Sequence, residues 1–247
     1  MQHFANDDGL NVFRIPVGWQ YLVNGQLSGP LDSAFFADFD SVMQACLATG
    51  AHCIIDLHNY ARWDGGIIGQ GGPSNDDFVS VWYQLAQVYA GQSNVIYGLM
   101  NEPHDLDIST WADTLQAAVT GIRNAGATSQ LILLPGVNYA AVGGFDSTSG
   151  PTLLRVQDSD GTTDKLIFDV HQYLDVDTSG GHPECVTDQI DNLGYLANFL
   201  RQNGRQAFLT ETGGGNTDSC VYYMCRQLNY MNDNADVYLG WVGWAAG

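Results

Sequence analysis

Two glutamates each close a short apolar run: Glu102 in Asn101-Glu102-Pro103 and Glu211 in Leu209-Thr-Glu-Thr-Gly213. Two carboxylates brought together could cleave a glycosidic bond. One protonates the leaving oxygen, and the other attacks the anomeric carbon or activates water. A separation of about 5–5.5 Å gives retention of configuration, and a wider one gives inversion. At this level an alternative stays open, in which one glutamate merely pairs with Arg14 inside another apolar run. Other polar residues fall at equivalent places. His58 and Asn59 close one run, His171 and Tyr173 follow another, and Trp244 follows the last.

Other chemistries fit poorly. Schiff-base catalysis needs a lysine at the site, and the only lysine, Lys165, heads the run Lys165-Leu-Ile-Phe-Asp-Val170, the wrong end of a parallel strand. His58 and His171 lack evident further ligands, so no metal is expected. The glycine-rich stretch Gly65-Gly-Ile-Ile-Gly-Gln-Gly-Gly72 carries neither a phosphate-loop Gly-Lys-Ser/Thr nor a dinucleotide fingerprint. It reads as a loop shaping a substrate cleft, and no cofactor is expected. With 27 acids against 8 bases the formal charge is −19, which disfavours nucleic acid and anionic membranes as partners. A neutral polysaccharide is compatible. No apolar run is long enough to span a bilayer, and the opening Met1-Gln-His-Phe-Ala-Asn-Asp-Asp-Gly-Leu10 is too polar for a signal peptide. The five cysteines match no zinc spacing, so disulfides and an extracellular setting are expected.

These residues need elements to hold them. Apolar runs predict strands at Val12–Val17, Cys53–Leu57, Val95–Met100, Leu131–Leu134, Leu166–Val170, Ala207–Thr210 and Tyr238–Val242. Amphipathic spacing predicts helices at Ser33–Thr49, Asp76–Tyr89, Thr110–Ala125, Asp188–Gln202 and Ser219–Asn232. Gly50, Gly126 and Gly204 stand where helices should stop. Strict alternation predicts a parallel sheet, and 247 residues suit a single α/β domain. In parallel barrels the chemistry sits at the C-terminal strand ends, where this sequence repeatedly places its polar residues.

The ordered motifs Phe13-Arg14-Ile-Pro-Val-Gly-Trp19, Asp56-Leu-His-Asn-Tyr-Ala-Arg-Trp63, Gly69-Gln-Gly-Gly-Pro73, Leu99-Met-Asn-Glu-Pro-His104, Asp169-Val-His-Gln-Tyr173, Leu209-Thr-Glu-Thr-Gly-Gly214 and Gly240-Trp-Val-Gly-Trp244 resemble glycoside hydrolase family 5, in particular secreted fungal endo-β-1,4-glucanases. The resemblance covers essentially the whole chain. It implies a (β/α)₈ TIM barrel, a single catalytic domain over residues 1–247, and a retaining cellulase acting on β-1,4-glucan and cello-oligosaccharides. By that resemblance Glu102 is the acid/base and Glu211 the nucleophile, with Arg14 beside it. Asn101 meets the sugar 2-hydroxyl, and His58 contacts the sugar. His171 and Tyr173 flank the carboxylates. Trp244 is the aromatic floor, with Trp19 and Trp63 as outer-subsite candidates. The resemblance also implies disulfides Cys46–Cys53 and Cys185–Cys220, with Cys225 left over.

Set beside the family, the sequence yields seven strands. The first strand and the C-terminal segment are expected to be missing, which would leave an open barrel edge able to drive self-association. A mannanase or xylanase specificity, and an inactive glucan-binding remnant, are the alternatives.

Overall fold

The computed structural model describes residues 1–245. Its elements run α1 (Gln2–Asn6), β1 (Val12–Val17), α2 (Trp19–Leu22), α3 (Ser33–Leu47), β2 (His52–Leu57), β3 (Arg62–Trp63), β4 (Gly66–Ile67), α4 (Asn75–Tyr89), β5 (Val95–Gly98), α5 (Ile108–Asn124), β6 (Ile132–Pro135), α6 (Gly150–Leu153), β7 (Leu166–His171), α7 (Ile190–Asn203), β8 (Ala207–Thr212), α8 (Asp218–Asp233) and β9 (Tyr238–Gly243). All seven expected strands and five expected helices form. The helix starts differ by a residue or two because the caps fall slightly earlier or later. Asp32, Asp107 and Thr217 each accept a hydrogen bond from a first-turn amide, and Ser74 forms a reciprocal capping box with Asp77. The small antiparallel pair β3–β4 and the short helices α1, α2 and α6 are too brief to leave a periodic signal.

Seven strands form one parallel sheet in the order β1-β2-β5-β6-β7-β8-β9, while β3 and β4 form a separate hairpin. The order follows the chain, so each long helix crosses back outside the sheet and the sheet curls into a nearly closed barrel. Period-two alternation sorts the side chains. Ile54, Ile96, Leu133, Ile167 and Phe208, one from each of five consecutive strands, make an apolar layer inside the barrel. Their neighbours Ile55, Tyr97, Leu134, Phe168 and Leu209 belong to the larger core under the helices, with Phe78, Trp82 and Trp111. Two positions above the inner layer come Asp56, Asp169 and Thr210, all buried. The barrel interior is therefore apolar at its floor and polar towards the C-terminal strand ends.

β1 and β9 stand at the two ends of the strand order and do not pair with each other. Between them lies a cleft of about 940 Å³ bordered by Val12, Phe13, Ile96, Phe208, Leu239 and Val242. The expected opening in the barrel wall is thus present. Cys46–Cys53 ties α3 to β2, Cys185–Cys220 ties the segment after β7 to α8, and Cys225 is free and exposed. Among the described residues, no helix is long and apolar enough to cross a membrane.

Candidate functional site

The middle of β1 and the C-terminal ends of β2, β5, β7, β8 and β9 bring Arg14, His58, Asn101, Glu102, His171, Tyr173, Glu211 and Trp244 into one connected group. Glu102 follows β5 with left-handed backbone (φ 44°), and Glu211 lies in β8. One carboxylate oxygen of each lies within 4.8 Å of the other, and both are near the same imidazole. His171 Nδ1 is 2.8 Å from Glu102 Oε1 and 3.5 Å from Glu211 Oε2. The two glutamates differ in setting. The Glu211 side chain is 5% exposed, while that of Glu102 is 20% exposed.

Both oxygens of Glu211 are held. Arg14 Nη1 donates to Oε1 at 2.5 Å, and the Tyr173 hydroxyl donates to Oε2 at 2.8 Å. The other Arg14 nitrogen donates to Asn101 Oδ1 at 2.7 Å and stands 3.1 Å from Asp56 Oδ2. Burial opposes the Arg14 charge, but the carboxylates of Asp56, Asp169 and Glu211 outweigh it and raise the guanidinium above its ordinary value. Tyr173 is also pushed up, first by burial and then by the Glu211 charge, so its hydroxyl stays a donor. The early alternative, a glutamate merely paired with Arg14, describes half the arrangement: Glu211 does pair with Arg14 and also faces Glu102.

Hydrogen bonding fixes the ring orientations. Asn101 Oδ1 is taken by Arg14, so its amide nitrogen donates to His58 Nε2 at 3.2 Å, and His58 Nδ1 donates to Asp56 at 2.7 Å. On the other side the Thr210 hydroxyl donates to Asp169, leaving its oxygen to accept from His171 Nε2 at 3.0 Å. His171 Nδ1 then presents a lone pair towards Glu102. Burial raises the Asp169 carboxyl above its ordinary value. Trp244 lies parallel to His58, with ring centroids 5.4 Å apart, and is 38% exposed.

Two sequence candidates fall outside this group. Trp19 is 0% exposed. It packs edge-on to Trp63 at 5.0 Å and beside Phe78, so it has no free face for a sugar. This corrects the expectation of an outer subsite there; the indole is consumed by the core under the first βα loop. Trp63 is half-buried and covers the same core. Asn59 proves to be a loop staple, accepting from the Trp19 amide and donating to Gln20 and Arg62. Conversely, Asp56, Asp169 and Thr210 join the site's hydrogen-bond network beyond the candidates the sequence offers. Their signal was a polar residue interrupting an apolar strand, as in Ile55-Asp56-Leu57 and Phe168-Asp169-Val170. Besides Glu102, His171 and Glu211, a second set of three potential metal ligands converges as closely among the described residues: Asp175, Asp177 and His182, on the loop after β7.

A parallel strand barrel with paired carboxylates at its C-terminal mouth, one buried and braced by arginine and tyrosine and one open, defines a class of barrel built for sugar chemistry. Within it, the chain belongs to the cellulase family, glycosyl hydrolase family 5, whose profile matches residues 1–247. It is 60% identical over 249 residues to endoglucanase EG-II of Hypocrea jecorina, covering 100% of this chain and 60% of that protein. The chain therefore spans somewhat under two thirds of that relative's length. The crystal structure of Cel5A (EG2) from Hypocrea jecorina superposes with a TM-score of 0.98 at 59% identity, covering 100% of this chain and 75% of the other. The structure of XacCel5A in complex with cellopentaose superposes with a TM-score of 0.91 at 35% identity, covering 98% and 78%.

Proposed function

We propose that the chain carries the active site of a retaining endo-β-1,4-glucanase that cleaves internal bonds of cellulose and related β-glucans. The observation carrying this reading is the pair of carboxylate oxygens of Glu102 and Glu211 within 4.8 Å of each other. That spacing is nearer the separation of about 5–5.5 Å of a retaining pair than the wider one of an inverting pair. Glu211, ionised and oriented by Arg14 and Tyr173, attacks the anomeric carbon. Glu102 gives its proton to the departing oxygen, and a glycosyl ester forms on Glu211. Glu102, now a carboxylate, takes a proton from a water that attacks the same carbon and releases the ester. Asn101 meets the 2-hydroxyl beside Glu211, and Trp244 and His58 form the floor under the reacting sugar.

The named activities of the relatives and the cellopentaose bound to XacCel5A support a glucan over mannan or xylan. The two disulfides support an extracellular setting. The free edges of β1 and β9 beside an apolar cleft support self-association; a monomer by light scattering would exclude it. The deciding assay measures reducing-sugar release from carboxymethyl-cellulose, mannan and xylan by the chain and by Glu211→Gln. Turnover of the cellulose derivative that Glu211→Gln abolishes, with cello-oligosaccharide binding kept, is the expected result. Binding without turnover by the unaltered chain would favour a glucan-binding remnant. Substantial turnover by Glu211→Gln would overturn the assignment.

A further inference from the structure

The Tyr173 hydroxyl donates to Glu211 Oε2 at 2.8 Å, and that bond is only as well aimed as the ring that carries it. A tyrosine ring turns about its side-chain torsions unless packing fixes it. Tyr173 is 9% exposed, and part of its cover is bare backbone. Gly180, on the loop after β7, packs against the ring. A Cβ at this position would stand 2.7 Å from Tyr173 Cδ1 and Cε1 and 3.1 Å from Cγ. Carbon atoms pack at about 3.5–4.0 Å, so no side chain fits there. Gly180 also has left-handed backbone, φ 75°, which glycine adopts without strain. Gly213, directly after β8, borders the same ring, and a Cβ there would lie 3.7 Å from Cε1.

The loop carrying Gly180 is anchored at both ends. The buried Asp175 carboxylate accepts from the Gly180 amide at 3.0 Å and from the His182 amide at 3.1 Å, which fixes the backbone on both sides of Gly181. Further along, the Val186 amide donates to Leu174 O at 2.8 Å, and Cys185–Cys220 ties the loop to α8. Both sulfurs abut Gly214, just past Glu211: a Cβ there would lie 2.7 Å from Cys185 Sγ and 2.6 Å from Cys220 Sγ. One loop therefore touches the ring that holds the nucleophile and the chain that follows the nucleophile. Pinned at Asp175 and at Cys185, it cannot yield freely, so a group added at Gly180 would displace the ring.

We propose that Gly180 is a positioning residue for the nucleophile: its bare backbone, held in place by the loop after β7, sets the Tyr173 ring so that the hydroxyl meets Glu211. This rests on the functional reading above. Tyr173 holds the attacking group, so displacing it weakens the transition state more than the bound ground state.

The test measures kcat and KM on cellopentaose for Gly180→Ala and Gly180→Asn, each alone and combined with Tyr173→Phe. Either substitution at Gly180 is expected to lower kcat about 10-fold, with KM changed less than about twofold. Asparagine tolerates left-handed backbone better than alanine, so Gly180→Asn should melt above Gly180→Ala while losing as much kcat. With Tyr173→Phe no hydroxyl remains to misplace, and adding either substitution should lower kcat by less than about twofold more. A loss that keeps its full size in Tyr173→Phe, or a kcat in Gly180→Asn equal to that of the unaltered chain, overturns the proposal. Should the unaltered chain not turn over cellopentaose, the functional reading fails separately. The crystal structure of Gly180→Asn then decides the positioning role. A Tyr173–Glu211 bond broken or lengthened there supports it, and one kept at its present length overturns it.

Discussion

Arg14 and Glu211, from the first and eighth strands of the chain, meet through Nη1 and Oε1 at 2.5 Å inside the barrel mouth. The other terminal nitrogen, Nη2, is shared by Asn101 and Asp56, so one planar fork fixes three acidic or amide groups at once. Arg14 is the cation buried among Asp56, Asp169 and Glu211.

Two substitutions separate its charge from its shape. Arg14→Met leaves Asp56 and Glu211 buried without a counter-charge and should destabilise the fold by about 3–5 kcal/mol, read from urea unfolding. Arg14→Lys keeps the charge but cannot span the same partners. It should fold, yet lose on the order of 10²-fold in turnover, because small displacements of a reacting group cost that much. Wild-type turnover in Arg14→Lys would show that charge alone suffices at this position.

Much of this architecture was legible in the sequence because the strands are covered on both faces and read as unbroken apolar runs. The polar residues that close those runs were legible for the same reason: nothing else polar interrupts Val95–Gly98 before Asn101 and Glu102. What escaped was set by pairings far apart in the chain. Trp19 is as aromatic in sequence as Trp244, but only the packing of Trp63 and Phe78 against it shows that its ring is spent on the core. Asp169 follows the run Leu166-Ile-Phe168, and its role depends on Thr210, 41 positions away.

Glu102 is the open member of the carboxylate pair, and His171 Nδ1 holds it at 2.8 Å. Proton donation matters in proportion to how poor the leaving group is. Glu102→Ala should therefore lose on the order of 10²–10⁴-fold on cellulose derivatives, yet spare the glycosylation step of an aryl cellobioside with an acidic phenol. A pre-steady-state burst of phenol checks this. Equal losses on both substrates would contradict the acid role.

His171 owes its orientation to Thr210, whose hydroxyl accepts from Nε2 and donates to Asp169. Thr210→Val keeps the shape of the side chain and removes both links. It leaves the buried Asp169 short of a donor, which costs about 1–3 kcal/mol of stability. It also frees the imidazole to change tautomer, so turnover should fall on the order of 10-fold or more through misplacement of the proton on Glu102. Thr210→Ser, which keeps the hydroxyl, should recover the shape of the pH–rate profile. A profile unaltered in Thr210→Val would show that the contacts of His171 with Glu102 and Glu211 suffice to hold it.

The loop after β7 gives a pH signature that is independent of catalysis. The buried Asp175 carboxylate accepts from the Gly180 amide at 3.0 Å, the His182 amide at 3.1 Å and the His182 ring at 3.0 Å. Burial opposes its charge, but these hydrogen bonds outweigh burial and lower its pKa from the ordinary 3.8. Its stabilising contribution is therefore present above that value and lost as the pH falls through the lowered one. His182 is shifted the other way, raised from 6.5 chiefly by its bond to Asp175. That contribution is complete below 6.5 and lost as the pH rises through the raised value. The two windows overlap between the ordinary values of 3.8 and 6.5. The melting temperature of the protein should exceed that of Asp175→Asn by most in this interval, and the gap should narrow on both sides. Calorimetric melts at pH 3, 5 and 8 measure it, and a gap that keeps widening from pH 5 to pH 8 would show that the His182 pair contributes nothing.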